Sequence, residues 1–212
     1  MAALQSVLAK HTLILGSSSS SRRAILQNLG VPFSVVAAGI DEQAIRRDTP
    51  EALVIALAHA KADAVLAKLR SPSGAVTADS ARSPLLITAD QVVVHDGRIL
   101  EKPADAAQAR SFIRGYSASS ARTVGGICVT DVATGVAASS LDVAEVFFTH
   151  IPEEVIDALV RDGSCMHCAG GLQVENPLVS PYVDRFEGPI DSIQGLGVDV
   201  LTRLLLQVAG DR

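Results

Sequence analysis

The run Leu85 to Val94, LLITADQVVV, restricts the fold more than any other stretch of the chain. Apolar residues fill both alternating sets, which is the pattern of a strand covered on both faces. Such a strand belongs in the middle of a sheet with helices packed on either side. Asp90 and Gln91 interrupt the run. A lone carboxylate is costly inside a strand this apolar, so Asp90 must meet a metal, a cation or water. A purely structural ion pair satisfies that requirement as well as a functional site does. Asp96-Gly97 then reads as a hairpin turn. The return strand Arg98 to Leu100 delivers Glu101-Lys102-Pro103, so the hairpin is expected to bring Lys102 back near Asp90.

A second constraint lies upstream, in LILGSSSSSRRAILQNL, residues 13 to 29. Leu13 to Leu15 reads as a strand, and Ile25, Leu26 and Leu29 mark one helix face with Gly30 as the stop. A serine-rich turn between strand and helix presents unpaired backbone N–H groups at the positive end of the helix. Arg22 and Arg23 add fixed charge and forked donors, so the stretch can hold an anion. It can equally be a serine-rich cap followed by a solvated arginine pair, since it is neither a Walker loop nor GxGxxG.

Pro32 to Ala38 reads as a further strand, ending at Gly39-Ile40-Asp41-Glu42. This puts carboxylates where α/β sheets gather ligands, although an exposed acidic turn has the same sequence. Thr49-Pro50-Glu51 starts a helix running to about Leu69, with Leu53, Leu57, Ala60 and Ala64 as its inner stripe. Lys61 borders that stripe and is expected to snorkel unless a phosphate lies within reach. Residues 71–84, small, polar and broken by Pro and Gly, read as a flexible surface loop within one domain spanning 1–212. Beyond it, Ala104 to Tyr116 reads as a helix, and Val124 to Asp131 and Ala138 to Phe148 as a hairpin. Pro152 opens another helix, and Val198 to about Val208 forms the last.

Composition limits the partners. The formal charge is −5 with three aromatic residues per hundred and no Trp. That disfavours general nucleic-acid or anionic-membrane binding, so any phosphate site must be local. The opening MAALQSVLAKH is too short and polar for a signal peptide or span, which points to a soluble, cytoplasmic protein. The three cysteines, Cys128, Cys165 and Cys168, are odd in number and expected to be reduced. Cys165-Met166-His167-Cys168 has zinc-like spacing but lacks a second ligand pair, and burial as small apolar residues is the better reading.

In order along the chain, GSSSSSRRAIL, GIDEQAIR, ALAHAKA, ITADQVVV, ILEKPAD, CAGGLQVE and SIQGLG resemble the Maf family, also called septum-formation inhibitors. The resemblance runs from Leu13 to about Leu206. It implies an α/β/α sandwich with an elongated mixed β-sheet and a cleft between two lobes, similar to inosine-triphosphate pyrophosphatases. It also implies hydrolysis of a nucleoside triphosphate to the monophosphate and pyrophosphate with Mg²⁺ or Mn²⁺. On this resemblance Ser17, Arg22, Lys61 and Lys102 grip the triphosphate, with Arg23 in support. Glu42 and Asp90 hold the metal and activate water, Asp90 as proton acceptor. Gln91 and Glu175 resemble the branch acting on 7-methyl-GTP rather than dTTP/UTP. Physically, a Glu accepts from guanine N1–H and its exocyclic amine but meets carbonyls on uracil or thymine. The chain departs from the family's common SPRR and SGxxH segments, having Ser20-Ser21 and Ser117 to Ala121 there, and His167 stands where Lys is common. The family commonly forms homodimers, and its older name suggests a second role as a nucleotide-binding regulator of division.

Overall fold

The structure is a computed structural model and describes residues 2–71 and 82–210. The elements follow in the order α1 (Ala2–Lys10), β1 (His11–Leu15), α2 (Ser20–Asn28), β2 (Phe33–Val35), α3 (Pro50–Arg70), β3 (Ser83–His95) and β4 (Arg98–Leu100). After them come α4 (Ala106–Tyr116), β5 (Ser120–Asp131), β6 (Ala137–Phe148), α5 (Glu153–Asp162), β7 (Val183–Glu187), α6 (Ile190–Ile193) and α7 (Val198–Ala209). The strands form one seven-stranded sheet in the order β2-β1-β3-β5-β6-β7, with β4 also pairing β3. β1 is parallel to β2 and β3, whereas β4 and β7 run antiparallel to their neighbours, so the sheet is mixed. With helices flanking it, the architecture is that of an α/β/α sandwich. The chain divides into two compact units. One holds residues 1–90, 125–142 and 195–212, and the other holds 91–124 and 143–194.

In the first unit the two-residue period of the strands sorts side chains between two helical layers. Leu13 and Leu15 of β1, Leu85, Ile87 and Ala89 of β3, and Ile127 and Val129 of β5 pack with α1, α2 and α7. Ile14 and Leu86 face the other way, onto Ala62, Val65 and Leu66 of α3. Thr88 continues that second set and donates to Ala58 O on α3 at 2.8 Å. By the same parity Asp90 faces α3. The helix comes unusually close to the sheet, because a Cβ on Gly126 would lie 2.7 Å from the Val54 backbone and 2.9 Å from Ile55 N. Only a residue without a side chain permits that approach.

The stripe expected on α3 is therefore displaced. Leu53 and Leu57 are buried, but the inner face continues through Val54, Ala58, Lys61, Ala62, Val65 and Leu66, while Ala60 and Ala64 are only half-buried. Lys61 does not snorkel. It is 6% exposed and lies on the face against the sheet. Thr49 caps the helix as expected, its Oγ1 accepting from Ala52 N at 3.1 Å. β2 is only three residues long, shorter than the strand read from Pro32 to Ala38. Of the loop expected at 71–84, Ser83 and Pro84 already belong to β3, and residues 72–81 lie outside the described residues.

In the second unit, Asp96 and Gly97 both adopt positive φ, as a type I′ hairpin requires, and β3 and β4 pair from His95↔Arg98 to Val93↔Leu100. A second core forms from Val93, Leu100, Ala109, Ile113, Tyr116, Ala144, Val146, Phe148, Ile156 and Leu159. Tyr116 is buried here and donates to Gly170 O at 2.8 Å, and its phenol is raised by burial. Asp105 caps α4, accepting from Gln108 N at 2.7 Å. Surface ion pairs of Arg114 with Glu153 and of Arg110 with Asp157 join α4 to α5.

Candidate active site

The sequence candidates of the first unit converge beyond the carboxyl ends of β1 and β3. β1 closes its ladder with Gly16 N donating to Ile87 O at 2.7 Å, and the chain then turns into α2. Ser19 is the N-cap, its Oγ accepting from Arg22 N at 3.3 Å. As in any helix, the first-turn amides of Ser20 and Ser21 have no intrahelical partner, so they face outward as donors. Ser17 Oγ accepts from Ser19 N at 3.2 Å and from Arg22 Nη1 at 3.3 Å. A hydroxyl has two acceptor positions and one proton, so with both acceptor positions used Ser17 has only its donor left to offer. That is a useful state beside an anion.

Arg22 is buried, held by Ser17 and by Nε donating to Gly195 O at 2.9 Å. Burial lowers its pKa from the usual guanidinium value, while the negative charges of Asp90 and Glu42 act in the opposite direction. It keeps its charge throughout the physiological range. Arg23 is exposed on the same helix, its amide bonded only within the turn to Ser19 O.

From the opposite layer, α3 supplies Lys61. Its Nζ donates to Asp90 Oδ1, to Glu42 Oε1 at 2.8 Å and to Ala89 O at 3.5 Å. Asp90 is 8% exposed, and Glu42 begins a short 3-10 turn, Glu42–Ala44, capped by Asp41 through Gln43 N. One ammonium thus binds both candidate carboxylates. The sequence alternatives for Asp90 resolve to a cation, and that cation is Lys61. The convergence follows from the topology. β3 extends past the end of β1, so Lys61 of α3 bonds Asp90 and Arg22 of α2 lies within reach of its charge. Parallel α/β sheets bind ligands at such strand ends.

The donor set fits a hard divalent cation. Glu42 and Asp90 offer carboxylate oxygens, and Asp90 Oδ2 makes no hydrogen bond among the described residues. No group of three or more His, Cys, Asp or Glu side chains is gathered for a metal among those residues. A bound Mg²⁺ would then take its remaining ligands from phosphate oxygens and water, which suits its preference.

The other candidates belong to the second unit. Gln91 follows Asp90 but points to the opposite face, where Nε2 donates to Ser192 O at 2.7 Å. Lys102, two residues beyond β4, and Glu175 are both exposed. Both charges act on Cys168. Burial chiefly raises that thiol, Gln173 lowers it by hydrogen bonding, Glu175 raises it and Lys102 lowers it. Cys165 is buried with its thiol on Leu159 O at 3.6 Å, and Gln173 Nε2 donates to Cys168 Sγ at 3.4 Å. His167 is exposed.

Sequence reasoning missed the Gly195 carbonyl. The closing SIQGLG segment was legible only as a motif, and a backbone acceptor leaves no trace in residue identity. The glycines flanking Leu196 ahead of α7, a helix with no side-chain cap, were the one available signal. No described helix is long and apolar enough to cross a membrane.

A family model described as Maf-like protein matches residues 12–208. A relative from Dictyostelium discoideum, named 7-methyl-GTP pyrophosphatase, is 35% identical over 197 residues, which is 93% of this chain and 97% of its own. One from Salinispora tropica, named nucleoside triphosphate pyrophosphatase, is 33% identical over 92% of this chain and 83% of its own. Another from Salinibacter ruber, named dTTP/UTP pyrophosphatase, is 31% identical over 91% of this chain and 89% of its own. The match of motifs, sheet and overall length leads to one conclusion: the chain belongs to the Maf family.

Proposed function

We propose that the protein hydrolyses a nucleoside triphosphate to the monophosphate and pyrophosphate, with 7-methyl-GTP favoured over dTTP and UTP. The observation that carries this reading is the meeting of Arg22, Ser17 and Lys61 with Asp90 and Glu42 at the strand ends. The names of relatives on both sides of the base preference support the reaction class.

In this reading the phosphates lie against Ser17 Oγ–H, the first-turn amides of α2 and the buried Arg22 guanidinium, with Arg23 and Lys102 as further cations. Four negative phosphate charges need several cations. Lys61 keeps two carboxylates close together without mutual repulsion. Asp90 takes the proton of the water that attacks phosphorus, and the bond to the leaving pyrophosphate breaks as the new P–O bond forms. Arg22 balances charge developing on the leaving group. Glu42 and Asp90 would hold Mg²⁺ or Mn²⁺, which when bound supplies further charge neutralisation at the phosphates.

For the base, Gln91 and Glu175 favour a donor-bearing edge. The Gln91 amide NH₂ must face Ser192 O, because a carbonyl only accepts, and this leaves Oε1 as an acceptor. A carboxylate at Glu175 likewise accepts from guanine but not from thymine or uracil carbonyls. The family's expectations of a cytoplasmic homodimer go with this reading, and light scattering on the purified protein tests the second.

The test is pyrophosphate release from dTTP, UTP, CTP, GTP and 7-methyl-GTP, with Mg²⁺ and with chelator. Metal-dependent turnover highest on 7-methyl-GTP is expected. Preference for dTTP or UTP would retain the reaction and reject the base assignment, and absence of turnover on all five would reject the enzyme.

A further inference from the structure

Asp142 lies on β6 and is 4% exposed, a second carboxylate buried in the first unit. Its Oδ2 accepts from Gly197 N at 2.7 Å. Gly197 is the N-cap position of α7, a helix without a side-chain cap of its own, so the carboxylate takes over the capping role from a distant strand. Two residues earlier, Gly195 stands at φ 103, a conformation that side chains rarely tolerate. Its carbonyl accepts from Arg22 Nε at 2.9 Å. Leu196, fully buried between the two glycines, packs in the core with α2 and α7.

The chain of contacts runs from Asp142 to Gly197 N–H, through the turn at Gly195, to the Arg22 guanidinium and then Ser17. We propose that Asp142 is a positioning residue for triphosphate binding, setting the orientation of Arg22 through the 195–197 turn. The proposal rests on the reading of Arg22 as a phosphate ligand. Arg22 has five donors in a fixed fork, and using Nε on Gly195 O settles which of the others face the anion. Without the Asp142 anchor the turn is released from the α7 terminus, and the fork loses its reference. Asp142 itself contacts no substrate in this scheme, so its effect must pass through Arg22.

A double-mutant cycle tests this, with KM, kcat and melting temperature measured for Asp142→Ala, Asp142→Asn, Arg22→Ala and Asp142→Ala/Arg22→Ala. Asp142→Ala should raise KM for the preferred triphosphate roughly tenfold, the worth of one good hydrogen bond, with kcat within about twofold. Asn keeps an acceptor for Gly197 N–H, so Asp142→Asn should stay within about threefold of wild type. The double variant should be no worse than Arg22→Ala alone, because residues acting in series are not additive. Should Asp142→Ala not fold, Asp142→Ser, too short to reach Gly197 N, takes its place in the cycle with the same expected KM. Additive losses, or a lower melting temperature with unchanged KM, would overturn the proposal while leaving the Arg22 reading intact. An Arg22→Ala variant with wild-type KM would overturn both.

Discussion

Lys61 is the residue whose replacement most sharply tests the physical account of the site. Its ammonium is almost wholly buried and bonded to Asp90 and Glu42, so Lys61→Met removes the charge while keeping most of the volume. Breaking a buried ion pair costs about 3–5 kcal/mol, chiefly because a charge is left without a partner. The Glu42 side chain is 43% exposed and can turn to water, whereas that of Asp90, at 11%, cannot. One stranded carboxylate rather than two places the expected loss near the lower limit, about 3 kcal/mol. For a chain of this size that lowers the melting temperature by roughly 6–12 °C.

Calorimetric melting of wild type, Lys61→Met and Lys61→Met/Asp90→Asn separates charge from packing. Neutralising Asp90 removes the stranded charge, so the double variant should regain at least half of the lost melting temperature. Both variants should be severely impaired in pyrophosphate release, since one lacks the cation and the other also lacks the base. A Lys61→Met shift under about 2 °C, or a double variant melting below the single one, would refute the claim that Lys61 compensates Asp90.

The remaining predictions bear on roles and packing. Asp90→Asn should lower kcat by about 100-fold with little change in KM, whereas Lys102→Ala should mainly raise KM; steady-state kinetics on the preferred nucleotide distinguishes the two, and equal effects on kcat alone would contradict the division. Gly126→Ala places a Cβ into the Val54 backbone and should cost about 3 kcal/mol in chemical denaturation, a wild-type midpoint being the contrary result. All three thiols are raised by burial, so less thiolate is present at any given pH and alkylation at pH 8 should be slow. Cys168, the only one of the three not fully buried, should react first by peptide mass mapping, and prior reaction of Cys128 or Cys165 would count against the packing described.

Much of this was legible because strands have a short period. The apolar filling of Leu85 to Val94 required a central strand, and the carboxylate within it required a metal, a cation or water, of which the fold supplies a cation, Lys61. The Asp96-Gly97 turn and the Thr49 cap were legible because each rests on local geometry. Lys61 was misplaced for a different reason. A stripe drawn through the larger side chains Leu53 and Leu57 ignores how near a helix can come, and the approach over Gly126 buries Val54, Ala58 and Ala62 alongside those leucines, in place of Ala60 and Ala64. That rotation carries Lys61 from the border of the stripe into the interior. Close approach depends on a glycine in β5, a strand far along the chain, so no window on α3 alone could have revealed it.

Long-range backbone contacts mark the other limit. Arg22 and its acceptor Gly195 lie 173 positions apart, and a carbonyl is common to every residue. Asp142 is a different case, since the rule that exposed Asp90 applies to it. On β6 the buried parity runs through Asp142, Ala144, Val146 and Phe148, while Leu141 and Val143 face outward. An acid standing in the buried register of a strand demands a partner just as Asp90 does. The partner here is a helix terminus rather than a lysine, and both answers lead to the same cluster, one by neutralising its carboxylates and the other by holding the turn whose carbonyl meets its arginine.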